Sequence, residues 1–137
     1  MKKALTLLFC FICYQISCHA QVADEHYYFK NLSVQNGLSQ NTVNTILQDK
    51  QGFMWFGTKD GLNRYDGLSF RKFKHDDRSQ RSIGNNFITA LYEDEKGNIW
   101  VGTDVGLYIY YPEKDFFEHF TELSAENTKI EHTVTAI

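Results

Sequence analysis

Beyond residue 40 the chain alternates short apolar runs with clusters of Asp, Asn, Gly and Lys, and no stretch keeps a helical period long enough to predict a helix. Val43–Gln48 and Ile88–Glu93 are rich in β-branched and apolar residues, and each ends at an Asp-x-x-Gly sequence. Asp49-Lys50-Gln51-Gly52 and Asp94-Glu95-Lys96-Gly97 predict tight turns. The Asp carboxylate can accept a local backbone hydrogen bond, and Gly takes positive φ without a Cβ clash. A second strand follows at 53–57 and 98–102, where Gly57 and Gly102 predict close approach of another backbone. A second turn at 58–61 and 103–106 leads to a third strand at 62–65 and 107–110. The fourth strand is predicted at 69–74 and 115–121, with aromatics at Phe70, Phe73, Phe116, Phe117 and Phe120. Residues 27–32 read as a further fourth strand, and 134–137 as a further first strand.

These elements recur because the sequence repeats. Shifted by 45 residues, 41–65 (NTVNTILQDKQGFMWFGTKDGLNRY) aligns with 86–110 (NFITALYEDEKGNIWVGTDVGLYIY), with nine of 25 positions identical. The identities are mostly turn residues and large aromatics, among them Asp49/Asp94, Gly52/Gly97, Trp55/Trp100, Gly57/Gly102 and Tyr65/Tyr110. Four strands per unit of about 40–50 residues, with Gly and Trp at fixed places, is the arithmetic of a β-propeller blade. The fold class expected is therefore all-β: two four-stranded blades plus flanking strands of an incomplete propeller. Blades are placed at about 41–74 and 86–121, with a third beginning near 132. A propeller needs at least four blades, so the sequence reads as a fragment whose partners include the remaining blades.

The first twenty residues stand apart. Lys2 and Lys3 precede an apolar run at 4–14, and Cys18-His19-Ala20 offers small residues at the −3 and −1 positions of a cleavage site. The run is too short to cross about 30 Å of hydrocarbon as a helix. Residues 1–20 are thus expected to be a signal peptide cut after Ala20, leaving 21–137 as an exported, partial propeller domain. All three cysteines fall in the leader, which removes disulfides, Cys-based metal sites and thiol catalysis from consideration. The net charge of −3 for the whole chain makes direct nucleic-acid contact by this segment unexpected.

The pattern N-x-V-x-x-I-x-x-D-x-x-G-x-x-W-x-G-T-x-x-G-L-x-x-Y resembles the two-component regulator propeller repeat. The opening Phe29-Lys-Asn-Leu-Ser-Val-Gln-Asn-Gly-Leu-Ser39 is similar to the amino-terminal region of Bacteroidota hybrid two-component sensors. The resemblance covers about 27–137. It implies a periplasmic sensor of glycan-derived oligosaccharides, anchored in the inner membrane through a longer parent. That parent would be a histidine kinase controlling transcription and acting as a homodimer. None of its downstream parts lies in this sequence, so no enzymatic activity is expected of the chain itself. The alternatives are a propeller of a carbohydrate-active enzyme and a protein-binding propeller scaffold.

Candidate chemistry divides by register. Trp55, Trp100, Gly57, Gly102, Asp49, Asp94, Gly52 and Gly97 recur in both units and are expected to be structural. The tryptophans should wedge between blades and the aspartates should serve their turns, although paired carboxylates invite comparison with glycosidase acid/base pairs. The five histidines show no His-x-x-x-His or HExxH spacing, so no metal or cofactor is expected. The basic run Arg71-Lys72-Phe73-Lys74-His75 suits a solvated outer strand, whose charge discourages edge pairing. What differs between units is the connection from one blade to the next (33–40, 76–85 and 122–133) and the second turn. Loops on a repeated scaffold carry function. Asn85, Arg81, Lys59, Asp104, Gln40 and Asn36 are accordingly the candidate oligosaccharide contacts, with Asn86 and Arg78 beside them.

Overall fold

The structure is a computed structural model and describes residues 27–120 and 133–137. The expected leader at 1–20, Thr121 of the fourth strand and all but the last residue of the 122–133 connection lie outside the described residues. Contacts divide the chain into a unit at 1–30 and a unit at 31–137. Of the first, only 27–30 is described, and it has no regular secondary structure.

The second unit consists of two antiparallel sheets in simple meander order. The first contains β1 (Val43–Gln48), β2 (Met54–Thr58), β3 (Gly61–Tyr65) and β4 (Phe70–Phe73); the second contains β5 (Ile88–Glu93), β6 (Ile99–Thr103), β7 (Gly106–Tyr111) and β8 (Phe116–His119). A short 3₁₀ turn at Val34–Asn36 precedes them. The all-β reading of the sequence holds, but the expected strand at 27–32 is not formed. That segment joins neither described ladder, and residues 134–137, expected as a further first strand, likewise form no strand.

Turn chemistry sets the register. Gly52 and Gly97 adopt φ of +90° and +81°, as the Asp-x-x-Gly turns require. Asp49 Oδ1 accepts the backbone N–H of Gln51 (3.0 Å) and Phe53 (2.9 Å), and Asp94 Oδ1 does the same for Lys96 and Asn98 (2.9 Å each). In the second turn, the Thr58 hydroxyl donates to the Gly61 carbonyl (2.8 Å) and Thr103 donates to Gly106 (2.9 Å), which is why these two threonines are fully buried without an unmet polar group.

Each innermost strand has a bulge at the same place, between Val43 and Thr45 and between Ile88 and Ala90. A bulge turns its extra residue out of the ladder. Here it aims a side chain at the next unit: Asn44 Nδ2 donates to the Ile88 carbonyl (2.8 Å), and the Thr89 hydroxyl donates to the Val134 carbonyl. A Cβ on Gly57 would meet Ile88 Cγ2 at 2.6 Å, and one on Gly102 would meet Val134 Cγ1 at 3.0 Å. Both glycines are therefore seats for an apolar residue further along the chain, Gly57 for Ile88 at the start of β5 and Gly102 for Val134.

The main core lies between the sheets. Trp55 is fully buried, with its ring 5.7 Å from Phe73 and 5.6 Å from Tyr110, and Phe117 and Ile83 complete the cluster. At the outer rim Arg71 of β4 meets Asp115 in the turn before β8 (2.7 Å), and Tyr110 donates its hydroxyl to the same carboxylate (2.8 Å). Asp115 has φ of +54°, a position few non-glycine residues take.

Candidate functional site

The repeated aspartates are occupied by structure. Trp55 Nε1 donates to Asp49 Oδ2 at 2.7 Å, and Trp100 Nε1 donates to Asp94 Oδ2 at 3.2 Å. Each carboxylate thus satisfies a turn and an indole together, which leaves neither placed as a general acid or base. For Asp94, desolvation opposes ionisation, but bonds from the Asn98 side chain and backbone, the Trp100 indole and the Lys96 backbone outweigh it and hold its pKa at about 2. A proton donor near neutral pH needs the opposite shift.

The tryptophans differ in surroundings. Trp55 is sealed between the sheets, whereas Trp100 is half-buried on the face of the second sheet turned away from the first, against Phe120 at 5.0 Å. It lines a groove of about 770 Å³ with Tyr92, Ile109, Tyr111 and Pro112. The expected inter-blade wedge is complete for Trp55, and Trp100 presents the same ring where no described strand covers it.

The variable loops form two groups. At one end of the sheets each second turn meets the connection entering its own sheet, and the first also meets the connection entering the second sheet. Lys59 N–H donates to the Thr42 carbonyl (3.4 Å), Gly61 N–H to Asn86 (2.7 Å) and Asp104 N–H to Phe87 (3.3 Å). The Lys59 ammonium stands 5.9 Å from the Phe87 ring centre. Lys59, Asn85, Asn86 and Asp104 therefore belong to one surface, with Lys59 and Asp104 exposed.

Arg81 does not join them. Its carbonyl accepts the N–H of Phe117 on β8 (2.9 Å) and its guanidinium lies 5.6 Å from the Phe116 ring, so it sits against the outermost strand. Arg78 is likewise turned aside onto Asp76 (3.0 Å). Several candidate amides are spent locally. Asn36 Oδ1 accepts from Ser33 (3.0 Å), Gln40 Oε1 accepts from Thr42 N–H, and Asn85 Oδ1 accepts from Phe87 N–H (2.6 Å). These are backbone-mimicking turns, which Asn and Gln make readily and which a loop reading of the sequence cannot separate from ligand contacts. The basic run is partly neutralised too, through Arg71–Asp115 and Lys74–Asp60, both at 2.7 Å.

The sequence reading missed a pair of plugs. Leu38 and Ile83 are 2 % and 0 % exposed and stand 45 residues apart, just before the stretch whose self-alignment was obvious. Extending the shift by three positions would have found them: Leu38-Ser39-Gln40-Asn41 faces Ile83-Gly84-Asn85-Asn86.

The same register appears in the comparisons with known proteins. A family model described as the two component regulator propeller matches residues 37–60 and 82–105, both of which begin upstream of the buried plugs. Each matched stretch runs through the first two strands of one sheet and is similar to the two-component regulator propeller repeat. The chain is 40 % identical over 77 residues to Histidine kinase P4 of Formosa agariphila, a match spanning 56 % of this chain and 5 % of that protein. Its structure is similar to the extracellular domain of a hybrid two-component system from B. thetaiotaomicron, with a TM-score of 0.65 and 36 % identity over 74 % of this chain and 14 % of that one. The chain thus spans a small part of the relatives it matches, and the match falls on a sensor propeller and not on a kinase catalytic domain. Among the described residues no helix is long and apolar enough to cross a membrane, and no group of metal-ligating side chains is assembled.

Proposed function

We propose that this chain is a stretch of the periplasmic ligand-sensing propeller of a hybrid two-component sensor histidine kinase, and that the parent detects glycan-derived oligosaccharides to control transcription. The observation that carries the reading is the 36 % identity to an extracellular hybrid-sensor domain across 74 % of the chain. The leader at 1–20 accords with export, and the uncovered Trp100 face accords with further blades in the parent. Signalling then passes through a homodimer of the parent, with these repeats as scaffold and the unlike loops as reader.

The exposed Lys59 and Asp104, with Asn85 beside them, offer hydrogen-bonding groups of the kind a polyhydroxylated ligand requires. Calorimetry on an ectodomain carrying these repeats, titrated with a panel of plant and host oligosaccharides, tests the reading. Lys59→Ala or Asp104→Ala should weaken a productive ligand without changing the melting temperature. An ectodomain that binds no oligosaccharide, but captures a protein partner, would replace sensing of glycans with the scaffold reading.

A further inference from the structure

In the cleft between the sheets, beside the ends of β4 and β8, is a pocket of about 260 Å³. It is walled by Tyr108 and His119 from the second sheet and by His75, Asp76, Asp77 and Gln80 from the end of β4 and the connection after it. We infer that this pocket binds one neutral sugar ring, with the Tyr108 hydroxyl as its inner polar contact. The inference rests on the glycan-sensing reading and gives it a second, distinct contact site.

The pocket comes to exist through two residue exchanges between the sheets. In the first sheet the corresponding place is closed by a polar network: Asn63 Nδ2 donates to Ser39 Oγ (2.8 Å), Ser39 N–H donates to Asn63 Oδ1 (2.9 Å), and Ser39 Oγ reaches Thr58 Oγ1 (2.9 Å). Forty-five residues on, Ser39 is replaced by Gly84 and Asn63 by Tyr108. A Cβ on Gly84 would lie 1.9 Å from the Tyr108 hydroxyl oxygen, so the missing side chain is what admits the phenol. The exchange removes a self-satisfied pair and installs a hydroxyl at the pocket.

Tyr108 is 9 % exposed, and among the described residues its hydroxyl makes no hydrogen bond. Among the described residues no buried side-chain polar atom lacks a partner, so this hydroxyl opens onto the pocket, where water or a ligand can pair it. Burial also raises its pKa, so the group is a phenol and a donor at neutral pH.

The rest of the wall selects the partner. Both ring nitrogens of His75 are engaged, Nδ1 with the Ile83 carbonyl (2.9 Å) and Nε2 with Asp77 Oδ1 (2.8 Å), which orders the wall and leaves the second Asp77 oxygen open to the pocket. Arg78 takes both oxygens of Asp76, Nε to Oδ1 (3.0 Å) and Nη2 to Oδ2 (3.2 Å), so the open carboxylate of the wall is Asp77. A carboxylate acceptor, an exposed Gln80 amide and the Tyr108–His119 ring pair (4.8 Å between centres) suit a ligand rich in hydroxyl donors with one apolar face. The open oxygen of Asp77 disfavours an acidic sugar. The volume falls just under the roughly 300 Å³ at which drug-sized sites begin, which is room for a single ring.

The test is ligand-observed saturation-transfer NMR on the full chain, with methyl glycosides of glucose, galactose and mannose and with glucuronate as the charge control. At least one neutral glycoside should bind and glucuronate should not. Tyr108→Phe, which keeps the ring and removes a hydroxyl with no internal partner, should weaken binding about tenfold, the loss expected of a buried hydrogen bond to a ligand. Gln80→Ala, at an exposed position, should weaken it several-fold. Binding of no neutral glycoside, equal binding of glucuronate, or unchanged affinity in both variants would overturn the inference. Oligosaccharide binding that both variants retain would overturn this pocket while leaving the sensing reading intact, because the ligand would then sit at the Lys59 and Asp104 surface.

Discussion

The Gly84–Tyr108 pair makes a quantitative claim about how one blade can be rewritten as the other. Gly84→Ser alone places a Cβ 1.9 Å from the Tyr108 hydroxyl oxygen, 2.3 Å from Cζ and 2.7 Å from Cε1. The ring cannot yield at its tip without leaving the side of His119, so overpacking of this kind should cost about 1–3 kcal/mol. Tyr108→Asn alone empties the volume of a 9 %-exposed ring, and large-to-small changes in such places cost about 2–4 kcal/mol. The double variant recreates Ser39 and Asn63 of the first sheet, with Thr103 standing where Thr58 completes the network. Its cost should fall at least about 2 kcal/mol below the sum of the single costs, a coupling typical of side chains in direct contact. Urea denaturation of the four proteins, read by far-ultraviolet circular dichroism with a common slope, measures each term. Additive single effects would refute the reasoning, since Gly84 would then not be glycine on account of Tyr108.

Three further outcomes follow from the packing and the titrations. Trp55→Ala should cost about 3–5 kcal/mol because the indole is fully enclosed by Phe73 and Tyr110, while Trp100→Ala in this chain should cost less than half of that, measured by the same denaturation. In an ectodomain whose next blade covers the groove, the two substitutions should converge. Gly57→Ala puts a methyl group 2.5 Å from Thr45 Cγ2 and 2.6 Å from Ile88 Cγ2, one on each sheet, and should lower stability by about 1–3 kcal/mol where Gly67→Ala, with nothing within 4 Å, loses about 1 kcal/mol through its φ of +98° alone. Asp94, held at about 2 against an ordinary 3.8, binds its proton later in the folded state than in the unfolded one. Its contribution is full above about pH 4 and is lost as pH falls through 2. Asp94→Asn should flatten the urea midpoint across that window.

What the sequence made legible was the part dictated by local chemistry. Asp49 and Gly52 must sit where a carboxylate can accept two backbone N–H groups and a glycine can take positive φ, so the turns and the strands between them could be placed from one repeat and checked against the other. Leu38 and Ile83 were harder to see because a single apolar residue in a polar loop has no periodicity, and only the packing shows that it closes the core. Segment 27–32 has the composition of a strand, but composition does not name a partner, and it pairs with neither described sheet. Arg81 was grouped with Lys59 because both lie in connections on the same side of a schematic blade. The connection instead drops along β8, drawn by the insertion of Ile83 and the bond from Phe117, and carries the arginine away. Local rules do not report the path of a loop across its neighbour.

The seam between units has a consequence for how such chains can change. Asn44 reaches Ile88 across the bulge and Thr89 reaches Val134; the two donors and the two glycine seats are spaced by 45 and the two acceptors by 46, so a unit is 45 or 46 residues long. Val134 N–H also donates to the Thr103 carbonyl at 3.0 Å, so the seam is a bonded joint and not only a packed one. A gene duplication or deletion that counts in whole units of this length rejoins every donor to an acceptor of the same kind. One that breaks elsewhere leaves two unmatched joints and exposes two aromatic faces. Ring size is therefore free to drift in integer steps under mutation while remaining shielded from fractional ones. Lineages can gain or lose a blade without redesigning any interface.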